Sequence, residues 1–105
     1  YQDYVERTRR GQAQADLLEL VQFLERRYSN GFDYQKSGGG NPDLPFDESP
    51  SEGGAVAYDI SFDGNVTRDT FTLQATPTAL QAGDDCGTMK IDEEGTRTAD
   101  ANDCW

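Results

Sequence analysis

AVAYDISFDGNVTRDTFTLQATP, residues 55–77, places its apolar side chains on alternate positions. Val56, Tyr58, Ile60 and Phe62 alternate with Ala57, Asp59 and Ser61. After the turn material Asp63-Gly64-Asn65, Phe71, Leu73 and Ala75 alternate with Thr70, Thr72, Gln74 and Thr76 until Pro77 ends the run. A period of two is that of a half-buried strand, so two strands are predicted here. The same period continues downstream, where Met89 and Ile91 alternate with Thr88, Lys90 and Asp92 for a third strand. Glu93-Glu94-Gly95 turns the chain, and Thr96–Ala99 forms a weaker fourth. Strands joined by short turns make an antiparallel meander, with one face to be covered and one left to water.

Working toward the N-terminus, the period changes. Residues 2–28 hold no Pro and a single Gly, Gly11, and are rich in Gln, Ala, Leu, Glu and Arg, a helix-forming composition. Ala13, Leu17, Leu20, Val21, Leu24 and Tyr28 recur at three- and four-residue steps as one apolar stripe, the predicted core face. Asn30-Gly31 supplies a stop, since both tolerate the left-handed conformation of a helix end. A helix over 1–28 would be about 40 Å long at 1.5 Å per residue. Its first half has only Tyr1, Tyr4, Val5 and Thr8 at comparable spacing, so that half is expected to project or to pack on another molecule. Tyr1, Tyr4, Val5, Arg7, Arg9 and Arg10 are its candidate interface residues.

Between helix and sheet, residues 29–54 hold all but one of the Pro residues and the run Gly38-Gly39-Gly40, and show no period. They read as a long irregular connection whose Phe32, Tyr34, Leu44 and Phe46 pin it to the core. The organisation is one α+β domain: helix 1–28, connection 29–54, and a sheet of about four strands over 55–105.

The composition is unusual for a folded domain. Of 105 residues, Leu, Ile, Val and Phe number 18, about 17%, against a net charge of −11. That combination borders on disorder, and so thin a core needs a disulfide, a metal or a partner. There is no His, which excludes His-based triads and His-bearing zinc sites. Two Cys are too few for a zinc finger or a Cys-ligated iron–sulfur cluster. No apolar stretch is long enough to span a membrane.

The acidity is local. Residues 1–40 carry six basic and six acidic side chains, whereas residues 41–105 carry Arg68, Lys90 and Arg97 against fourteen acids. The second part would repel nucleic acid or an anionic lipid surface, so no nucleic-acid partner is expected. The group Arg7, Arg9 and Arg10 reads as a solvated helix face pairing with nearby acids, with a docking site as the alternative.

Cys86 and Cys104 bracket the last hairpin, and in a thin-cored secreted domain the pair reads as one disulfide. Two buried thiols or a redox pair are the alternatives, although a separation of 18 is not the C-x-x-C spacing of a thiol oxidoreductase. Trp105 beside Cys104 reads as a packing anchor. No two carboxylates stand apart as a catalytic pair, so no enzyme activity is expected. Asp84, Asp85, Asp92, Glu93 and Glu94 cluster on turns, and Asp84, Asp85, Asp92 and Glu94 are the calcium candidates. Without EF-hand spacing they read as solvated turn carboxylates, and no cofactor is expected. Asn65-Val66-Thr67 fits a glycosylation sequon and is read here as a turn.

In this order of parts the chain resembles a type IV pilin, and a PilE-like minor pilin in particular. Tyr1-Gln-Asp-Tyr-Val resembles the segment just after the membrane part of the pilin helix. Leu17-Leu-Glu-Leu-Val-Gln-Phe-Leu-Glu-Arg-Arg-Tyr28 with Asn30-Gly31 resembles the helix end, and Phe71-Thr-Leu-Gln-Ala-Thr-Pro77 the second strand. Asp85-Cys-Gly-Thr-Met-Lys-Ile-Asp-Glu-Glu-Gly-Thr-Arg97 resembles the third strand and turn. The resemblance implies a pilin-like fold with a C-terminal disulfide region. It also implies a structural subunit that takes part in type IV pilus assembly or priming and is presented in the fibre. Its partners would be other pilins, major and minor, and the pilus assembly machinery. Its place would be the inner membrane before assembly, with the soluble domain in the periplasm, then the extracellular fibre. Twitching motility, cell adhesion and N-terminal methylation are the associated expectations. Pilins open with a basic leader, a Phe, an early Glu and an apolar helical span, none of which is in these residues. The membrane half of the helix is therefore expected to have been removed, and membrane contact is expected only through it. Two rival roles share the plan: a type II secretion pseudopilin, which would carry calcium and lack this disulfide, and a DNA receptor pilin, which needs a basic stripe.

Overall fold

Good helix formers from Gln2 onward carry α1 without a break to Gly31 in the computed structural model, which describes all 105 residues. At 1.5 Å per residue this helix spans about 45 Å, close to the 46 Å long axis of the molecule. It runs three residues past Tyr28, and the left-handed residue is Phe32 (φ 56°), while Asn30 and Gly31 stay helical. A bulky residue pays a steric penalty in that region, and contacts from Tyr28 and from the distant Arg68 hold it there. The Phe32 N–H donates to the Tyr28 carbonyl at 2.6 Å, Arg68 Nε donates to the Phe32 carbonyl, and the Phe32 ring meets Tyr28 edge-on.

The sheet has five strands in sequence order, all antiparallel: β1 (Glu48–Ser49), β2 (Tyr58–Phe62), β3 (Thr72–Pro77), β4 (Met89–Asp92) and β5 (Arg97–Thr98). β1 lies within the connection read as irregular. Its two residues pair only Glu48↔Asp59 and Ser49↔Tyr58, too short a run to display any period. A single turn of 3-10 helix, Ala79–Gln81, follows β3.

Register aligns the apolar positions into rows under the helix. Ile60, Ala75 and Met89 form one row, and Phe62, Leu73 and Ile91 the next. Ala13, Leu17, Leu20 and Leu24 of α1 are fully buried, Val21 is buried, and Tyr28 is half-buried at the rim. Each fully buried Leu, Ile or Met stabilises by about 1.5–3 kcal/mol, so a cluster of 15 buried residues suffices for a cooperative core. The opposite face of the sheet presents Asp59, Ser61, Gln74 and Lys90.

Tyr34 is the main pin of the connection. It is buried, 4.6 Å from the Tyr28 ring and 4.9 Å from Phe71 by centroids, and burial raises its phenol above the ordinary 10.0. Leu44 and Phe46 pack half-buried against the core. Phe32 does not act as a pin: it is 63% exposed, because the helix overruns and turns its ring outward. Asn41 staples the connection to the β2–β3 turn by donating to the Gly64 carbonyl and accepting from the Val66 N–H.

At the C-terminal end Cys86 and Cys104 are joined in a disulfide, with Cα atoms 5.9 Å apart. Gly87 beside it has φ +56°, and a Cβ there would run into the Asp100 carboxylate, which accepts from the Thr88 N–H. Trp105 is half-buried, donates from Nε1 to the Thr98 carbonyl at 2.9 Å and stacks under the Arg97 guanidinium at 5.5 Å.

Candidate functional site

The first half of α1 meets the sheet end through polar groups. Gln81 is fully buried and the two N–H groups of its Nε2 are shared among the Glu6 carbonyl at 2.7 Å, the Tyr58 hydroxyl at 3.1 Å and Asp84 Oδ2 at 3.2 Å. Arg9 donates to the Leu80 carbonyl, and Gln14 to the Cys104 carbonyl. Arg10 grips both oxygens of Asp84 at 2.7 and 2.8 Å. Burial pushes the Tyr58 phenol above 10.0, so its hydroxyl stays protonated beside Gln81. The expectation that this whole half projects is therefore corrected: from Glu6 onward the helix is clamped. These clamps use amide, guanidinium and carboxylate groups, to which an apolar period is blind.

Only the first turn stands clear of the domain. Tyr1 is 98% and Tyr4 62% exposed and Val5 is half-exposed, while Arg7 is exposed on the outer face of the clamped part. Arg9 and Arg10, named with them from the sequence, are committed inside the subunit. Arg10 pairs with Asp84 of the sheet end, not with a neighbour on the helix. The Asp84 side chain is only 5% exposed, so losing its cation leaves a buried carboxylate with just the Gln81 amide and the Cys86 N–H as donors. Removing one partner of such a pair is costly even where the pair itself contributes little. Arg10→Ala is expected to destabilise by about 2 kcal/mol, the size of hydrogen bonds to a charged group and less than for a fully buried pair because the Arg10 side chain is 17% exposed, and Asp84→Asn on that background to recover part of the loss. Urea denaturation of the four proteins of the cycle measures both.

At the other end of α1 a cleft of about 640 Å³ is lined by Phe23, Arg26, Arg27, Lys36, the single acid Asp33 and the Gly38-Gly39 segment. Arg27 donates twice to the Gln35 carbonyl, and none of the three cations takes part in either ion pair of the molecule. Each was counted in the electroneutral first forty residues, where a tally by sequence hides their convergence. Beside the cleft, Tyr28 donates to Asp69 at 2.7 Å, and that hydrogen bond is the first cause of its raised phenol.

The acidic candidates do not form one group. Asp92, Glu93 and Glu94 bring a carboxylate oxygen each within 4.8 Å of one another, while Asp84 is bound to Arg10. Asp92 accepts from the Glu94 and Thr96 N–H groups, and Glu93 from the Phe71 N–H, the work of turn carboxylates.

Asp16 carries the polar cluster that the sequence reading missed. It is 4% exposed on the core face of α1 and accepts from Ser49 Oγ at 2.7 Å, Ser51 Oγ and Gln12 Nε2 at 3.1 Å, and the Ser51 N–H at 3.3 Å. The signal was present: position 16 lies three after Ala13 and four before Leu20, inside the apolar stripe.

Residues 1–90 match the family model described as type IV minor pilin ComP, DNA uptake sequence receptor. Among solved structures, the chain is similar to a type IV pilin from Shewanella oneidensis at 31% identity, covering 95% of this chain and 97% of that one, with a TM-score of 0.67. It also shares its fold with the non-core minor pilin PilV of Neisseria meningitidis, at 22% identity over 95% of this chain and 91% of that one, again with a TM-score of 0.67. No curated protein matches the sequence. No helix of the structure is long and apolar enough to cross a membrane.

Proposed function

The chain belongs to the type IV minor pilin family represented by ComP, and from that premise we propose that it is a structural subunit taking part in type IV pilus assembly or priming and presented in the fibre. The observation that carries this reading is the contrast along α1. From Glu6 onward the helix is locked to the sheet end, whereas Tyr1 and Tyr4 stand in solvent on the same rigid rod. Exposed aromatic side chains on a stiff helix are suited to burial against other pilin subunits, and the clamps transmit the orientation of that contact to the acidic domain. The family match and the pilin fold support a structural, non-catalytic role. Deleting the gene is expected to reduce the number of surface pili seen by electron microscopy and to impair twitching. Normal pili with a defect in protein secretion would instead identify a pseudopilin.

A second reading, DNA reception, is favoured by the family's own description and by the convergence of Arg26, Arg27 and Lys36 on one cleft. Against it stands the net charge of −11, which opposes the counterion-releasing contact that duplex binding requires. Fluorescence anisotropy with duplex DNA across a salt series separates the two. Submicromolar binding at physiological salt, lost on Arg26→Gln with Lys36→Gln, would establish the receptor role.

A further inference from the structure

We propose that Asn65 is an acceptor for N-linked glycosylation, on the turn that joins β2 to β3. Of the four Asn residues, only Asn65 opens an Asn-x-Ser/Thr sequence, Asn65-Val66-Thr67. Asp63, two residues ahead, extends it to the acidic five-residue form that bacterial oligosaccharyltransferases use. A chance match of this kind usually fails structurally, because the carboxamide is buried or bonded, or because the hydroxyl two residues on points elsewhere.

Here both residues are exposed, and no hydrogen bond holds the Asn65 carboxamide. Val66 is buried at 5% exposure and anchors the segment, which leaves its neighbours Asn65 and Thr67 on the solvent side. Asn41 holds the turn from below through the Gly64 carbonyl and the Val66 N–H, and neither bond uses the Asn65 side chain. Gly64 at φ +80° makes the bend that lifts Asn65 outward. The Thr67 hydroxyl lies in an exposed loop, where it accepts from the Thr70 N–H at 3.0 Å and pairs with the Thr70 hydroxyl, so an enzyme reaches it by exchanging that one exposed hydroxyl contact. The Asp63 N–H is fixed to the Thr72 carbonyl, while its carboxylate is held only by an exposed pair with Lys90, which opens at little cost.

The co-reactant is a polyprenyl-pyrophosphate-linked saccharide. Nδ2 of Asn65 forms a bond to the anomeric carbon, and the bond from that carbon to the pyrophosphate oxygen breaks. The lipid pyrophosphate leaves with the electron pair, and the amide proton passes to a base of the transferase. A glycan at this turn would add a hydrated cover to one edge of the domain. The site rests on the pilin reading only in that export brings the domain to the membrane face where such donors are displayed.

The test is made in vitro and is independent of pilus assembly. The folded chain is incubated with a bacterial single-subunit oligosaccharyltransferase and its lipid-linked donor, and intact mass is recorded. One added glycan is expected, with complete loss in Asn65→Gln and in Thr67→Ala, and retention in Asn102→Gln. Circular dichroism of each variant establishes that it remains folded. A peptide of residues 61–69 runs alongside as a control. Modification of the peptide but not the folded chain, failure of both, or an added glycan that survives Asn65→Gln would each overturn the proposal. The gene-deletion phenotype is unaffected by any of these outcomes and judges the pilin reading separately.

Discussion

Replacing Cys86 and Cys104 together by Ser is expected to lower folding stability by about 3 kcal/mol, the chain-entropy value for a closed loop of this size. For a domain of about 100 residues that corresponds to a fall in Tm of roughly 12–24 °C. A typical domain has only about 5–15 kcal/mol in total, so this is a large share. The effect falls on a segment with few other attachments. Between the two half-cystines lie β4 and β5, and β5 pairs through only Lys90↔Thr98 and Ile91↔Arg97. Beyond β4 the side chains packed against the core are Ala99 and Trp105, both half-buried. The disulfide also fixes the Cys104 carbonyl under Gln14, so its loss loosens the first half of α1 as well as the C-terminus. Thermal denaturation followed by circular dichroism gives the size of the effect, and amide exchange should show the 93–105 segment opening first. A loss below about 1 kcal/mol with unchanged exchange there would mean that the segment is held by its non-covalent contacts.

The α1 stripe and the strands β2, β3 and β4 were legible because each carries enough residues for a period to repeat. Leu17, Leu20 and Leu24, and the alternations around Ile60, Leu73 and Ile91, are simple consequences of burying one face. β1 was not legible, since two residues, Glu48 and Ser49, have no period and pair only because the connection is pinned on both sides. The helix stop was misread at Asn30-Gly31 because the left-handed position was assigned by intrinsic preference. Arg68, 36 residues away, instead holds Phe32 there. The clamps from Gln81, Arg9 and Arg10 to their partners are specific polar contacts between segments some seventy residues apart, and no local pattern encodes them. A charge tally located the acidity correctly but could not show that Arg26, Arg27 and Lys36 line one cleft, which depends on how the chain returns past the end of α1.

Asp16→Ala is expected to destabilise by about 3 kcal/mol, from the loss of hydrogen bonds to a charged acceptor and the exposure of buried donors without partners. The carboxylate gathers four donors, from Gln12 on its own helix and from Ser49 and Ser51 on the connection. Neither ion pair of the molecule involves Asp16, so its charge is balanced by hydrogen bonds alone. Ser49 is 1% exposed, and Asp16 is the one acceptor its hydroxyl has, so without it the buried proton is left unpaired. Asp16→Asn keeps the volume but turns two acceptor lone-pair sites into donors that face hydroxyl and N–H groups. Its expected cost is therefore intermediate, about 1–2 kcal/mol. Ser49→Ala in the Asp16→Ala background should recover part of the loss, because it removes the orphaned hydroxyl, whereas the same change in the intact protein is destabilising. That reversal of sign separates a hydrogen-bond hub from a simple packing defect, which would make both Ser49→Ala effects unfavourable. Because Ser49 pairs with Tyr58, the Asp16 variants should also show faster amide exchange at Ala57 and Ile60, whose N–H groups donate to Ser49 and Asp47. The buried carboxylate is thus the link between the helix and the edge strand, holding β1 where two backbone residues could not hold it alone.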